Sequence, residues 1–358
     1  MLNLVGALSV ACALVAGPGG QGTPKDDPAT AQLDKGQKLF QSGDLSGALA
    51  AFDAAAKADP KDARGLYLRG VVLEKKNDAA GAERSYREAI ARDRRFAPAH
   101  NNLGALLLGR GKANEAETEL QAAVAADPKY AGAHFNLGLV REAQGNNAEA
   151  ARAYREALRL KPDEPTYHVN LGSVLRRSGD LDGAITELRY ATRLAPKDAL
   201  ALTNLGLLLS DKKSYDEART CLERATKLDP KLIAAWTGLG RVELRRKQPA
   251  AAVAALGHAR QLAPKDATVA ADYCRALADR DPKAKQTLDE CRNATVLDGN
   301  NALARYELAK IHVAQGACTE AKADVERFSA LPSVRAEAKA KAQELLKLCV
   351  PAERGKGR

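Results

Sequence analysis

An all-α solenoid of helix–turn–helix repeats, closed by a C-terminal capping helix, is the fold this sequence predicts, on three observations. Gly36, Gly70, Gly104, Gly138, Gly172, Gly206 and Gly240 each stand 34 residues after the last. Two alanine columns keep the same step, Ala48 to Ala252 and Ala55 to Ala259, and prolines at 60, 128, 162, 196, 230 and 264 follow it, with Arg94 filling the one gap. The composition agrees: hydrophobic residues make up 45% and charged residues 28%, while aromatics are only 4%. Ala, Leu, Glu, Lys and Arg are good helix formers, and a fixed period of this length marks a repeat array rather than separate globular domains.

The elements follow in order. Leu2 to Ala16 is apolar but shorter than the ~20 residues that span a bilayer. Gly17, Pro18, Gly19 and Gly20 then break any helix, so residues 1–22 read as an export signal and 23–30 as a linker. Around Cys12 the segment resembles a bacterial lipoprotein signal, which implies lipidation at that cysteine. Ser9, however, stands where that pattern has a large aliphatic residue. No later segment is apolar enough to cross a membrane.

Within one period, residues 131–164, the physics is readable. His134, Leu137, Gly138 and Arg141 share one face of a first helix. Gly145-Asn146-Asn147 ends it, as Gly and Asn do at helix C-termini. A second helix carries Ala150, Tyr154 and Ala157 and stops before Pro162. Gly138 and Ala150 have almost no side chain, so the two helices can cross closely there, with Leu137 and Tyr154 filling the flanks.

These columns resemble the tetratricopeptide repeat family: a bulky residue, Leu-Gly, Tyr or Leu, then Ala, an aromatic or Leu, Ala and Pro. Trp236, Leu239-Gly240, Ala252, Leu256, Ala259 and Pro264 supply the pattern in the seventh repeat. The resemblance implies a right-handed α-solenoid over residues 31–330, with seven good repeats to 266 and two degenerate ones. Cys274 replaces the glycine in the eighth, which has one extra residue, and the ninth keeps Leu308-Ala309 and Ala321. Glu243, Arg141 and His312 are departures at the usual Tyr/Leu position. A capping helix over 331–349 shields the last repeat, and a basic tail fills 350–358.

Helical geometry also separates the faces of the first helix. The fourth, seventh, eighth and eleventh positions form the core stripe, and the sixth falls opposite it, towards the concave side of a two-layer solenoid. Asn102, Asn136, Asn170 and Asn204 occupy that sixth position in four successive repeats. An asparagine amide both donates and accepts hydrogen bonds, so the row suits the backbone of an extended peptide. It resembles the asparagine ladder in the repeat region of O-GlcNAc transferases. Solvated surface asparagines are the bland alternative. Phe135, Leu139 and Val169 offer apolar contacts beside the ladder, and Arg176, Arg177, Arg241 and Arg245 favour an acidic guest.

Other signals are set aside. The net charge of +10 biases partners towards acidic ones. Nucleic acid is not expected, because too few aromatics interleave the basic residues. His100, His134 and His168 also step by 34, but neighbouring first helices lie ~8–10 Å apart, too far for shared metal ligation at ~2 Å. No catalytic or dinucleotide motif appears, and no cofactor is called for.

Cys274 and Cys291 fall on the two helices of the eighth repeat. Cys318 begins a helix to which an antiparallel cap would return Cys349. Two bridges, Cys274–Cys291 and Cys318–Cys349, compete here with buried reduced thiols. The reading is an exported, non-enzymatic scaffold binding a protein or peptide segment. An envelope or pilus-type assembly lipoprotein, or a non-catalytic subunit of an enzyme complex, are the alternatives. Membrane attachment is expected only through an N-terminal anchor.

Overall fold

The computed structural model describes residues 27–350. The expected export signal, Cys12 and nearly all of the basic tail lie outside them. The described residues form nineteen helices and no strand, in two compact units divided after Leu194.

The first unit holds α1 (Pro28–Gln41), α2 (Leu45–Ala58), α3 (Arg64–Lys75), α4 (Ala79–Arg92), α5 (Ala97–Gly109), α6 (Ala113–Ala126), α7 (Ala131–Ala143), α8 (Asn147–Leu160), α9 (Pro165–Arg177) and α10 (Leu181–Leu194). Odd-numbered helices are the first of each repeat, even-numbered the second, and within this unit each packs on its neighbours in sequence. Turn chemistry sets the boundaries. Gly43 takes the left-handed conformation (φ +85°) that ends α1, and Asp44 caps α2 by accepting from the Gly47 N–H at 2.8 Å. Gly179 and Asp180 repeat the pair before α10. At the far end of each repeat, an aspartate turns the chain: Asp59 and Asp127 accept from the backbone N–H two residues on.

The close crossings fall where the small-residue columns lie. Ala82, Ala116, Ala150 and Ala184 have no exposed surface. A Cβ on Gly70 would sit 2.5 Å from the Tyr86 ring, and one on Gly104 2.5 Å from Leu120. Glycine is therefore required there by contact rather than by backbone conformation, and Gly138 faces Tyr154 in the same way. Buried Tyr86, Tyr154, Leu103, Leu107 and Leu120 fill the core around these crossings.

The second unit holds α11 (Ala199–Asp211), α12 (Tyr215–Leu228), α13 (Ile233–Arg245), α14 (Pro249–Leu262), α15 (Ala267–Arg280), α16 (Lys285–Leu297), α17 (Ala302–Ala314), α18 (Cys318–Ala330) and α19 (Ala336–Leu346). Lys213 and Lys247 occupy the left-handed turn position (φ 64° and 59°) that glycine fills in five other turns. The degenerate repeats keep the helix-pair geometry. The sequence-based cap begins at 331, but the helix starts only at Ala336, after a turn in which the Val334 N–H donates to Leu331 O. Pro332 suits that turn, which lets the chain reverse before α19 begins. Ala338, Ala342, Leu345 and Leu346 of α19 pack on Ala309, Val325 and Phe328.

Candidate functional site

The sixth-position asparagines of the first unit sit on α5, α7 and α9, half-exposed. They are not independent rungs. The Asn102 amide nitrogen lies 3.4 Å from both Tyr67 Oη and Tyr86 Oη, while its oxygen accepts from Asn101 at 3.0 Å. Asn101 in turn accepts from Asn136 at 2.8 Å. A continuous polar chain therefore links α3, α4, α5 and α7, ending where the Tyr86 hydroxyl donates to Glu74. Burial pushes the Glu74 carboxyl up from its ordinary range despite that bond. The Tyr86 hydroxyl is raised too, by burial and by the neighbouring carboxylate.

Asn136 is half-exposed and commits one N–H to this chain, which leaves its second N–H and its carbonyl oxygen for other bonds. Asn170 donates to Thr166 O within its own helix at 2.8 Å. Asn204 is half-buried on α11 in the second unit.

The apolar candidates divide. Phe135 is buried, with 7% of its surface exposed. It stacks on Tyr167 at 4.5 Å between ring centroids and leans on Tyr154 at 5.5 Å, so it holds α7 against α9 rather than meeting a guest. Burial pushes the Tyr167 hydroxyl up to about 12. Leu139 and Val169 are half-buried at the surface.

The arginines divide as well. Arg177 pairs with Glu142 at 2.7 Å and donates to Asn147 at 3.3 Å. Arg241 places its Nε and Nη2 at 2.7 and 2.6 Å from Asp272 Oδ2. Both tie one repeat to the next. Arg176 is exposed at the end of α9 and makes further interactions of its own. Arg245 is exposed at the end of α13.

Several residues here escaped the sequence reading. Asp272 and Glu307 continue the sixth-position column into the degenerate repeats as buried acids, 6% and 3% exposed. Burial raises both carboxyls, against Arg241 in one case and Lys310 in the other. The 34-residue step, extended by one residue in the eighth repeat, points to both. Asn101 gave no such signal, since its column runs on through Phe135 and Val169.

The histidine column has a different use. His100 Nε2 lies 3.1 Å from Arg94 O, His134 Nε2 3.0 Å from Pro128 O and His168 Nε2 2.9 Å from Pro162 O. Trp236 does the same with Pro230 O at 2.9 Å. A donor at the fourth position thus satisfies the carbonyl six residues back, at the turn joining two repeats. Where Leu202 stands there, Arg224 reaches Pro196 O instead. His100 Nδ1 also lies 2.7 Å from Glu119. That bond, chiefly, raises the His100 pKa above its ordinary value. Among the described residues no group of three or more His, Cys, Asp or Glu is placed to hold a metal.

The structure joins Cys274 to Cys291 and Cys318 to Cys349, with Cα separations of 4.8 and 5.7 Å. The first bridge ties the helices of the eighth repeat, and the second ties the start of α18 to the chain just after the cap.

A family model for the tetratricopeptide repeat matches residues 33–100, 101–165, 139–199, 169–233 and 203–267. These spans run through more than half of the chain, which therefore belongs to the tetratricopeptide repeat family, whose members generally serve as protein-interaction scaffolds. No curated protein matches it. Among solved structures, pilF of Pseudomonas aeruginosa is 23% identical, covers 59% of this chain and 96% of its own, and superposes with a TM-score of 0.54. The Cut9-Hcn1 complex of the APC/C is 21% identical over 79% of this chain and 55% of its own, also with a TM-score of 0.54. At these identities the likeness is one of fold.

Proposed function

We propose that this chain is a non-enzymatic scaffold that holds an extended segment of another protein along the first-helix face of its first unit, chiefly by bonding to the guest's backbone. One observation carries the reading. Asn136 is half-exposed, its side chain is oriented by the bond it donates to Asn101, and its second N–H and carbonyl oxygen remain for a guest. A pre-oriented amide loses less entropy on binding than a free one, and each bond formed contributes about 0.5–1.5 kcal/mol. Acidic character in the guest is favoured by the net charge of +10. Arg177 and Arg241 add little to it, being engaged with Glu142 and Asp272.

The chain works, on this proposal, in an oxidising compartment outside the cytoplasm. The apolar N-terminal segment supports that, as do the two bridges, since disulfides persist in such compartments. The test is cross-linked affinity capture from the native host, comparing wild type with Asn102→Ala, Asn136→Ala and Asn170→Ala combined. Asn204→Ala is made separately. A guest lost from a variant whose helical circular dichroism is unchanged supports the proposal. A guest retained by both moves the site to another face.

A further inference from the structure

The two disulfides differ in a way that bears on chemistry. Cys274 and Cys291 have no exposed surface and lie within the core cluster of Ala278, Leu308 and Ile311. Cys318 and Cys349 are only half-buried. Leu348 and Val350, on either side of Cys349, are 70% and 77% exposed, so this bridge lies at the surface of the described residues, unlike the first. Cys318, its partner, is the first residue of the thirteen-residue α18. The first-turn N–H groups and the helix dipole favour a thiolate there. A sulfur that leaves as a stabilised thiolate leaves faster.

We propose that Cys318–Cys349 is a thiol–disulfide exchange site for a dithiol reductant, and that its opening releases the capping helix. A thiolate of the dithiol attacks Cys349 Sγ. The Cys318–Cys349 bond breaks, and its electron pair leaves on Cys318 Sγ, which remains a thiolate or takes a proton from water. The reductant's second thiol then attacks its own sulfur in the mixed disulfide and expels Cys349. Two electrons pass to the protein, and the dithiol becomes a disulfide.

The consequence follows from how little else holds α19. Ala342 is the one residue of that helix that is fully buried. Glu337, Lys341, Gln343 and Glu344 face solvent. The bridge anchors the chain immediately after the helix, and without it α19 keeps the packing of Ala338, Ala342, Leu345 and Leu346 on the cluster of Ala309, Val325 and Phe328. Opening exposes that apolar end of the array. The buried Cys274–Cys291 bridge keeps the eighth repeat closed meanwhile.

Brief treatment of the full chain with dithiothreitol, followed by alkylation and peptide mass spectrometry, tests the site. Cys318 and Cys349 are expected to label at least about tenfold faster than Cys274 and Cys291. Equal rates, or faster labelling of the buried pair, overturn the proposal. Amide hydrogen exchange on the same partly reduced wild-type protein tests the release. Exchange in 336–346 should rise while that of α15 and α16 stays unchanged, and Cys318→Ser with Cys349→Ser should reproduce the pattern without reductant. Unchanged protection of 336–346 after selective reduction overturns the release.

Discussion

The Tyr154 hydroxyl donates to Glu142 Oε2 at 2.8 Å, joining the two helices of one repeat from inside the core. Tyr86 and Glu74 make the same bond 68 positions earlier in the chain. In the intervening repeat both positions are leucine, Leu120 and Leu108. The tyrosine and the glutamate occur together because a buried hydroxyl needs an acceptor.

Glu142→Leu strands that hydroxyl and should cost about 1–3 kcal/mol in urea unfolding. Tyr154→Leu combined with Glu142→Leu reproduces the leucine pair of the preceding repeat. The combination should cost less than the sum of the single changes, as expected for residues in contact. Strict additivity would show that the two side chains do not act as a unit.

His100 should make stability depend on pH near neutrality. Its folded pKa is raised, chiefly by Glu119, so between the unfolded value of about 6.5 and the folded one the native state binds more protons than the unfolded state. The contribution is complete below about pH 6.5 and is lost as pH rises through the folded pKa. His100→Gln should flatten the fall in melting temperature over that window relative to wild type. A slope unchanged by the substitution would place the dependence elsewhere.

Arg241→Gln leaves the buried Asp272 carboxylate without its cation and should destabilise the second unit by about 1–3 kcal/mol. Arg245→Gln, at an exposed position on the same helix, should stay within about 0.5 kcal/mol of wild type. Thermal unfolding of the two variants side by side separates the repeat-joining arginine from the surface one.

Lys213 and Lys247 carry a left-handed backbone that costs a side-chain-bearing residue about 1 kcal/mol relative to glycine. Lys247→Gly should therefore stabilise the protein, by up to about 1 kcal/mol once the extra freedom of glycine in the unfolded chain is subtracted. A fall in melting temperature would mean that the Lys247 side chain makes a contact worth more than the strain.

Most of the architecture was legible because it is periodic and local. Gly138, Ala150 and Pro162 each act on the segment they occupy, and the step between columns says which segments pack together. The cysteine pairs were within reach of the same reasoning, since helix positions alone bring Cys318 towards a returning Cys349. The candidate site was legible only in part. Asn136 keeps the 34-residue step of its column, yet its bond to Asn101 could not be read from spacing, because Asn101 belongs to a column with no polar pattern. Spacing alone places Phe135 at the surface, whereas Tyr167, on the next first helix, stacks on it and buries it.

The sequence by itself determined the helices, their order, the close crossings and the turns, since these depend on steric size, backbone freedom and hydrophobic period along the chain. Tertiary structure alone decided which polar groups are already taken: Asn102 by Tyr67 and Tyr86, Arg177 by Glu142, Arg241 by Asp272. Each of these partners lies on another helix than the residue it takes. The choice of partner rests on rotamer, distance and burial in three dimensions, because a polar group that loses water settles where its hydrogen bonds are met.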